Sequence, residues 1–108
     1  MPFDVLPQEV QTETKFQKFA DAMLKGCAIT VPIRGLLLDG HGGACAVGAL
    51  LVGLGADPFK LAIISHPLVD QSTDVRIAYR KKYMSSIETD NDHHHLSREQ
   101  IAARIAAL

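Results

Sequence analysis

The sequence predicts one compact, mostly α-helical domain spanning residues 1–108, a bundle of about four to five helices around a central apolar helix near residues 44–54. Three observations support this fold class. Apolar residues recur at helical spacing near the start of the chain, the stretch 44–54 is apolar all round, and the last segment opens with a helix-capping pattern. A short strand or β-hairpin is expected near residues 28–38. The 108 residues, 47% of them hydrophobic, suffice for one core.

The first helix is predicted from apolar residues that recur at steps of three and four, which places them on one buried face. They are Phe16, Phe19, Ala20, Met23 and Leu24. Gly26 is expected to end this helix in a left-handed conformation. The start is open between Thr12 or Thr14 as the N-cap and Pro7 in the first turn.

The strand or hairpin is predicted from two short apolar runs that follow. The first, residues 27–31, stops at Pro32, and the second leads into Asp39-Gly40. Asp-Gly after an apolar run is a turn signal.

The central helix carries no polar side chain apart from the thiol of Cys45. A helix that is apolar on every side is buried on every side. Its glycines, Gly48 and Gly53, each follow another small residue by four positions, so a neighbouring backbone can come close. Each glycine costs about 1 kcal/mol in helix propensity, and tight packing must offset that cost.

Three further helices are predicted in the second half. Asp57-Pro58 is expected to start a short helix that ends before Pro67. Thr73 is expected to cap the next helix, and a polar loop is expected over residues 88–95. The helix capped by Thr73 has apolar residues at four-residue steps, namely Val75, Tyr79, Tyr83 and Ile87.

The last helix is predicted to begin at a capping box formed by Ser97 and Gln100. Ile101, Ile105 and Leu108 follow at helical spacing and form its buried stripe.

The overall charge and cysteine content narrow the function classes. A formal net charge of −1 argues against a dedicated nucleic-acid binder and favours self-association. The first residues lack the pattern of a signal peptide, and the longest apolar run is too short to span a membrane. Cys27 and Cys45 form no disulfide framework. We therefore expect a cytoplasmic protein with reduced thiols and no membrane contact.

The segment around Cys45 gives two candidate sites. A thiol at a helix start is favoured as the thiolate, and His41 is the candidate catalytic base, with His66 and 93–95 as other possible partners. The same glycine-led helix start, over Gly42, Gly43 and Ala44, could bind an anion through its free N–H groups. The alternative for both is a buried, inert cysteine after a loop that needs glycine to turn.

The third candidate is a metal site at Asp92, His93 and His95. In an extended chain the two histidines point the same way, and imidazole with carboxylate suits zinc. The spacing matches no specific zinc motif, so the alternative is a solvated loop and a protein without a cofactor.

At three stretches the chain resembles a diffuse set of small uncharacterised bacterial and phage proteins. These stretches are 19–26, 43–50 and the tail from Asn91 to Ala102. The set shares Cys-Ala-x-Gly-Ala in mid-chain and Asn-Asp before a capped C-terminal helix, and has no established activity. This chain departs from it by inserting three histidines after Asn-Asp. The resemblance implies that Cys45 and Asn91-Asp92 are the packing and capping signature of the fold.

Taken together, these patterns favour a non-catalytic helical module that binds a protein partner or a second copy of itself. A cysteine-dependent enzyme using Cys45 with a histidine is the first alternative. A metal-binding protein using the loop from His93 to His95 is the second.

Overall fold

The structure is a computed structural model that describes residues 15–108, so the candidate helix starts at Pro7, Thr12 and Thr14 lie outside the described residues. Within this range the chain forms five α-helices, four short strands and one 3-10 helix, which confirms the mostly helical class. In chain order they are α1 (Gln17–Ile29), β1 (Val31–Pro32), β2 (Leu38–Asp39), β3 (Gly43–Ala44), α2 (Ala46–Gly53), β4 (Leu61–Ala62), the 3-10 helix (Pro67–Ser72), α3 (Thr73–Tyr83), α4 (Ile87–Asp92) and α5 (Arg98–Ala106).

The four strands form one small mixed sheet in the order β1-β3-β2-β4. β1 runs parallel to β3, while β2 is antiparallel to both β3 and β4. Leu38 in β2 lies opposite Ala44 of β3 on one side and opposite Ala62 of β4 on the other. The strand expected near residues 28–38 is therefore β1 with the first residue of β2, and β4 forms one edge of the sheet.

Helices α1 and α2 pack backbone against backbone at two glycines. A methyl group on Gly26 of α1 would overlap the carbonyl oxygen of Ala49, and one on Gly53 of α2 would overlap that of Ala22. The prediction that Gly26 ends the first helix is wrong, because Gly26 is a buried residue inside α1, which continues to Ile29. Glycine is required there by close packing rather than by a left-handed turn.

Helix α2 is shorter than predicted at its N-terminal end. Ala44 belongs to β3, and Cys45 is the N-cap in an extended conformation. Every residue from Ala46 to Val52 is buried, and Gly48 lies against the carbonyl oxygen of Leu37. Among residues 15–108, no helix combines the length and the apolar character needed to cross a bilayer.

The segment after α2 does not form the predicted helix. The carboxylate of Asp57 accepts a hydrogen bond from the N–H of Phe59 at 2.9 Å, so Asp57 closes a tight turn instead of capping a helix. The chain then enters β4. A short apolar run after an Asp-Pro pair is compatible with a helix or with a strand. It forms a strand here because it pairs with β2.

The predicted polar loop over 88–95 is in fact partly helical. Ser86 caps α4, because its hydroxyl accepts a hydrogen bond from the N–H of Thr89 at 3.0 Å. Ile87 therefore belongs to α4 rather than to the stripe of α3, in which Val75 and Tyr79 are buried. A helix of one and a half turns is too short to show apolar periodicity.

Helix α5 agrees with its prediction. Ser97 and Gln100 form the capping box, with the N–H of Gln100 donating to the Ser97 hydroxyl at 3.0 Å. Ile101 and Ile105 are fully buried, and Leu108 packs partly buried against the core.

The packing at Gly26 predicts the effect of a single methyl group. By helix propensity alone, Gly26→Ala would stabilise α1 by about 1 kcal/mol. Because the methyl group would meet the backbone of α2, we expect a loss of about 3 kcal/mol in the free energy of unfolding. Urea denaturation measures it. The control is Ala28→Gly on the exposed side of α1, with an expected loss of about 1 kcal/mol; a Gly26→Ala protein as stable as the wild type contradicts the packing.

Candidate functional site

Asn91, near the end of α4, ties three segments together beside the N-terminus of α2. Its side-chain oxygen accepts a hydrogen bond from the N–H of Ala46 at 3.1 Å. Its amide group donates to the carbonyl of Ile33 at 3.3 Å and to the carboxylate of Asp92 at 2.8 Å. Asp92 also accepts from the N–H of Gly35 at 3.2 Å. The Asn91-Asp92 pair therefore fixes the first turn of α2 against the segment 33–35.

The Cys45 thiol lies beside this junction and is buried. Its sulfur accepts a hydrogen bond from the N–H of Gly48 at 3.4 Å. Burial raises the pKa of Cys45, the Gly48 N–H lowers it by less, and the nearby carboxylates of Asp92 and Glu88 raise it further. The helix N-terminus therefore does not yield a thiolate, and the thiol stays protonated at neutral pH.

No histidine lines the cavity at Cys45. The cavity measures about 210 Å³, and its lining is apolar with two carboxylates. The lining residues are Gly35, Leu36, Leu37, Cys45, Ile63, Ile64, Glu88 and Asp92. His41 lies elsewhere, exposed in the turn between β2 and β3. The structure thus does not bring His41 or another histidine into the cavity at Cys45.

The predicted anion site over Gly42, Gly43 and Ala44 already faces a carboxylate of the same chain. Asp39 accepts hydrogen bonds from the N–H groups of His41 at 2.7 Å and Gly43 at 2.8 Å. These two bonds lower the pKa of Asp39. The N–H of Gly42 donates to a carbonyl, and Ala44 lies in β3. An external anion would have to displace Asp39 to bind there.

The structure does not gather the predicted metal ligands into one site within residues 15–108. His93 is the exposed C-cap of α4, and His95 is exposed with a left-handed backbone (φ 56°). Asp92 is directed to Gly35 and Asn91, as described above. Among residues 15–108, no three histidine, cysteine, aspartate or glutamate side chains gather in a metal-binding arrangement.

Asp90 is the buried charge that sequence reasoning missed. Its carboxylate accepts from the Tyr79 hydroxyl, from the Ser85 hydroxyl at 2.8 Å and from Arg104 at 3.2 Å, and lies 2.8 Å from Nδ1 of His94. Burial raises the pKa of Asp90, but these hydrogen bonds outweigh it and the net shift is downward. The sequence signal was an aspartate four residues before a histidine, hidden in a stretch that looked like a solvated loop.

Arg98 is the second buried charge that sequence reasoning missed. Its guanidinium group donates to the carbonyl oxygens of Thr30 at 3.1 Å and Ala44 at 3.3 Å and to the Thr30 hydroxyl at 2.6 Å. A further contact reaches the carbonyl of Cys27 at 3.5 Å. A cation at the carbonyl end of α1 is favourable for the helix dipole. Arg98 thereby joins α5 to α1 and β3.

No protein-family model, curated protein or solved structure matches the chain.

The Asp90 cluster predicts an acid-sensitive contribution to stability. A carboxylate whose pKa is lowered by folding stabilises the protein above its unfolded-state pKa of about 3.9, and this stabilisation is lost as the pH falls through the folded-state pKa. We expect Asp90→Asn to lower the free energy of unfolding at pH 7 by about 2–4 kcal/mol. The loss should shrink towards acid pH in urea denaturation series.

The matched control for Asp90→Asn is Asp70→Asn, an exposed aspartate in the 3-10 helix. It should change stability by less than about 0.5 kcal/mol. If the loss in free energy of unfolding caused by Asp90→Asn stays constant from pH 7 to the acid limit, the ionised carboxylate has no stabilising role.

The burial of Cys45 predicts a slow thiol. In the native protein we expect Cys45 to react with a disulfide reagent roughly tenfold or more slowly than free cysteine, because the thiolate fraction and the access are both low. Comparing the wild type with Cys45→Ser separates this thiol from Cys27. A native Cys45 that reacts as fast as free cysteine would support the cysteine-enzyme alternative instead.

Proposed function

We propose that the protein is a non-catalytic module that associates with a second copy of itself through β4. β4 is an edge strand, with β2 on one side and no strand of residues 15–108 on the other. Four large apolar side chains project from this part of the chain. We call them the β4 surface: Phe59, Leu61, Ile63 and Ile64.

The exposure of the β4 surface is the observation that carries the proposal. Phe59 is 68% exposed, Leu61 62%, Ile63 53% and Ile64 85%. Lys60 is the single charged residue between positions 59 and 64. An exposed apolar edge strand pairs readily with another strand, and a contiguous apolar patch marks an interaction surface.

The register of β4 directs backbone groups to the open edge. The N–H of Leu37 donates to the carbonyl of Ile63 at 3.3 Å, so the backbone carbonyl of Ile63 is directed towards the β2 side of the sheet. In an antiparallel ladder the bonding direction alternates along the strand, and the N–H and C=O of Ala62 therefore face outward. Two copies related by a two-fold axis can exchange hydrogen bonds through these groups.

A second copy fits this edge because the pairing is self-complementary. In antiparallel pairing centred on Ala62, Leu61 of one copy lies opposite Ile63 of the other, and Lys60 opposite Ile64. Leu61 thus meets Ile63 as an apolar pair, and the two lysines lie opposite Ile64 and do not face each other. The net charge of −1 adds little repulsion between copies. An isologous contact of this kind needs only one surface per chain.

Two further parts of the proposal concern location and relatives. Both cysteines are free thiols, which supports a cytoplasmic location. Two capping contacts support membership of the set of small bacterial and phage proteins that share these residues. Cys45 is the N-cap of α2, and the side chain of Asn91 accepts a hydrogen bond from the N–H of Ala46. Catalysis by Cys45 and zinc binding by His93 and His95 stay predictions. The protonated thiol, and the absence of a gathered set of metal ligands among residues 15–108, favour association over both.

Sedimentation velocity across a concentration series tests the association. We expect the wild-type protein to form a dimer at high micromolar concentration and Leu61→Glu to be monomeric, because pairing would bury the new carboxylates. Met84→Glu is the control, since Met84 is 86% exposed and lies outside the β4 surface; it should still dimerise.

A wild-type protein that remains monomeric throughout the series would show that self-association is wrong. If Leu61→Glu dimerises as well as Met84→Glu, the contact between copies is not at β4. Circular dichroism of both variants confirms that the helices are intact.

A further inference from the structure

A cavity of about 720 Å³ lies at the N-terminus of α5, between this helix and the segment 32–34. Its volume is in the range typical of small-molecule sites. The lining is mixed, with polar and charged side chains beside apolar ones, and comprises Pro32, Ile33, Arg34, Asn91, His95, Leu96, Ser97, Arg98, Glu99 and Gln100. Neither the β4 surface nor Cys45 belongs to it.

Arg98 places a buried positive charge at this cavity. The side chain is 4% exposed, and all its hydrogen-bond acceptors described above are neutral oxygens. None of the ion pairs found in residues 15–108 includes Arg98. Its Nε is buried and has no hydrogen-bond partner in that range. A buried guanidinium without an anion retains a strong field, because little water screens it.

The first turn of α5 adds two free donors in the same place. The capping box takes up the N–H groups of Ser97 and Gln100. The N–H groups of Arg98 and Glu99, the first two of the nine-residue helix, donate to no acceptor described in residues 15–108. Free N–H groups and the helix dipole both favour an anion at such an end.

Arg34 completes the charge balance of the cavity. It is exposed and lines the cavity from the segment after β1. Glu99 contributes the one carboxylate among the lining residues, against the two guanidinium groups of Arg34 and Arg98. The lining therefore carries an excess of positive charge in a protein whose net charge is −1.

We propose that this cavity binds a small oxyanion, a carboxylate or a phosphate group. The anion accepts hydrogen bonds from the first N–H groups of α5 and from Arg34. Arg98 attracts it by its buried charge and holds the walls of the cavity in place. The site is separate from the one predicted at Gly42, Gly43 and Ala44, where Asp39 already accepts the N–H of Gly43 and the N–H of Gly42 donates to a carbonyl.

Titration of ¹⁵N-labelled protein with inorganic phosphate, and separately with acetate, tests the proposal. Sodium chloride at matched ionic strength is the baseline. We expect saturable chemical-shift changes at the amides of Arg98 and Glu99 and at Nε of Arg98. The ion that saturates at the lower concentration identifies the preferred group. Arg34→Gln should weaken the apparent affinity about threefold to tenfold.

The matched control is Arg80→Gln, which removes an exposed arginine from α3 and should leave the affinity unchanged. Both variants change exposed side chains, so their melting temperatures should stay close to that of the wild type. The proposal is overturned if neither anion gives saturable shifts at α5 beyond the chloride baseline. It is equally overturned if Arg34→Gln and Arg80→Gln weaken binding to the same extent.

Discussion

The close approach of α1 and α2 is the constraint on which the rest of this structure depends. Gly26 and Gly53 let the two backbones touch, so α2 packs closely against the helix that precedes it. Two buried polar side chains then hold the ends of this pair. Asn91 binds the first turn of α2, and Arg98 binds the last carbonyls of α1. Helices α4 and α5, short or polar as they are, take their positions from these contacts, because a buried polar group without its partner is costly.

This arrangement uses three reactive groups of the described residues internally. The Cys45 thiol accepts a backbone N–H, the Asp39 carboxylate accepts two, and Asp90 is surrounded by four donors. Groups whose hydrogen bonds are satisfied within the fold in this way stabilise it and are poorly suited to chemistry on a substrate. The outward-facing features are of another kind: the apolar edge at β4 and the positively charged cavity at Arg98. Both features suit binding better than catalysis, which is why binding is the function that we propose.

The helical class and the capping box of α5 were predictable, because apolar periodicity and local caps depend on neighbouring residues alone. The role of Gly26 was not, since a glycine near a helix end looks the same whether it turns the chain or admits another backbone. Asp57-Pro58 likewise fits a helix start and a turn, and only pairing with β2 distinguishes them. The buried role of Arg98 depends on partners far along the sequence, such as Thr30. The partners of Asp90 lie only four to fourteen residues away, but the fold, not the local sequence, brings them to one carboxylate. Sequence reasoning treats such charges as solvated because most charged residues are exposed.

Native-state hydrogen exchange of the wild-type protein tests the central position of the α1–α2 contact most directly. If the two helices form the core on which the other elements depend, the amides of α2 and of the second half of α1 should exchange only through global unfolding. Their opening free energy should then equal the free energy of unfolding from denaturation, while the amides of β4 open at lower cost. If the α2 amides exchange through local opening, with an opening free energy well below the free energy of global unfolding, this account is contradicted.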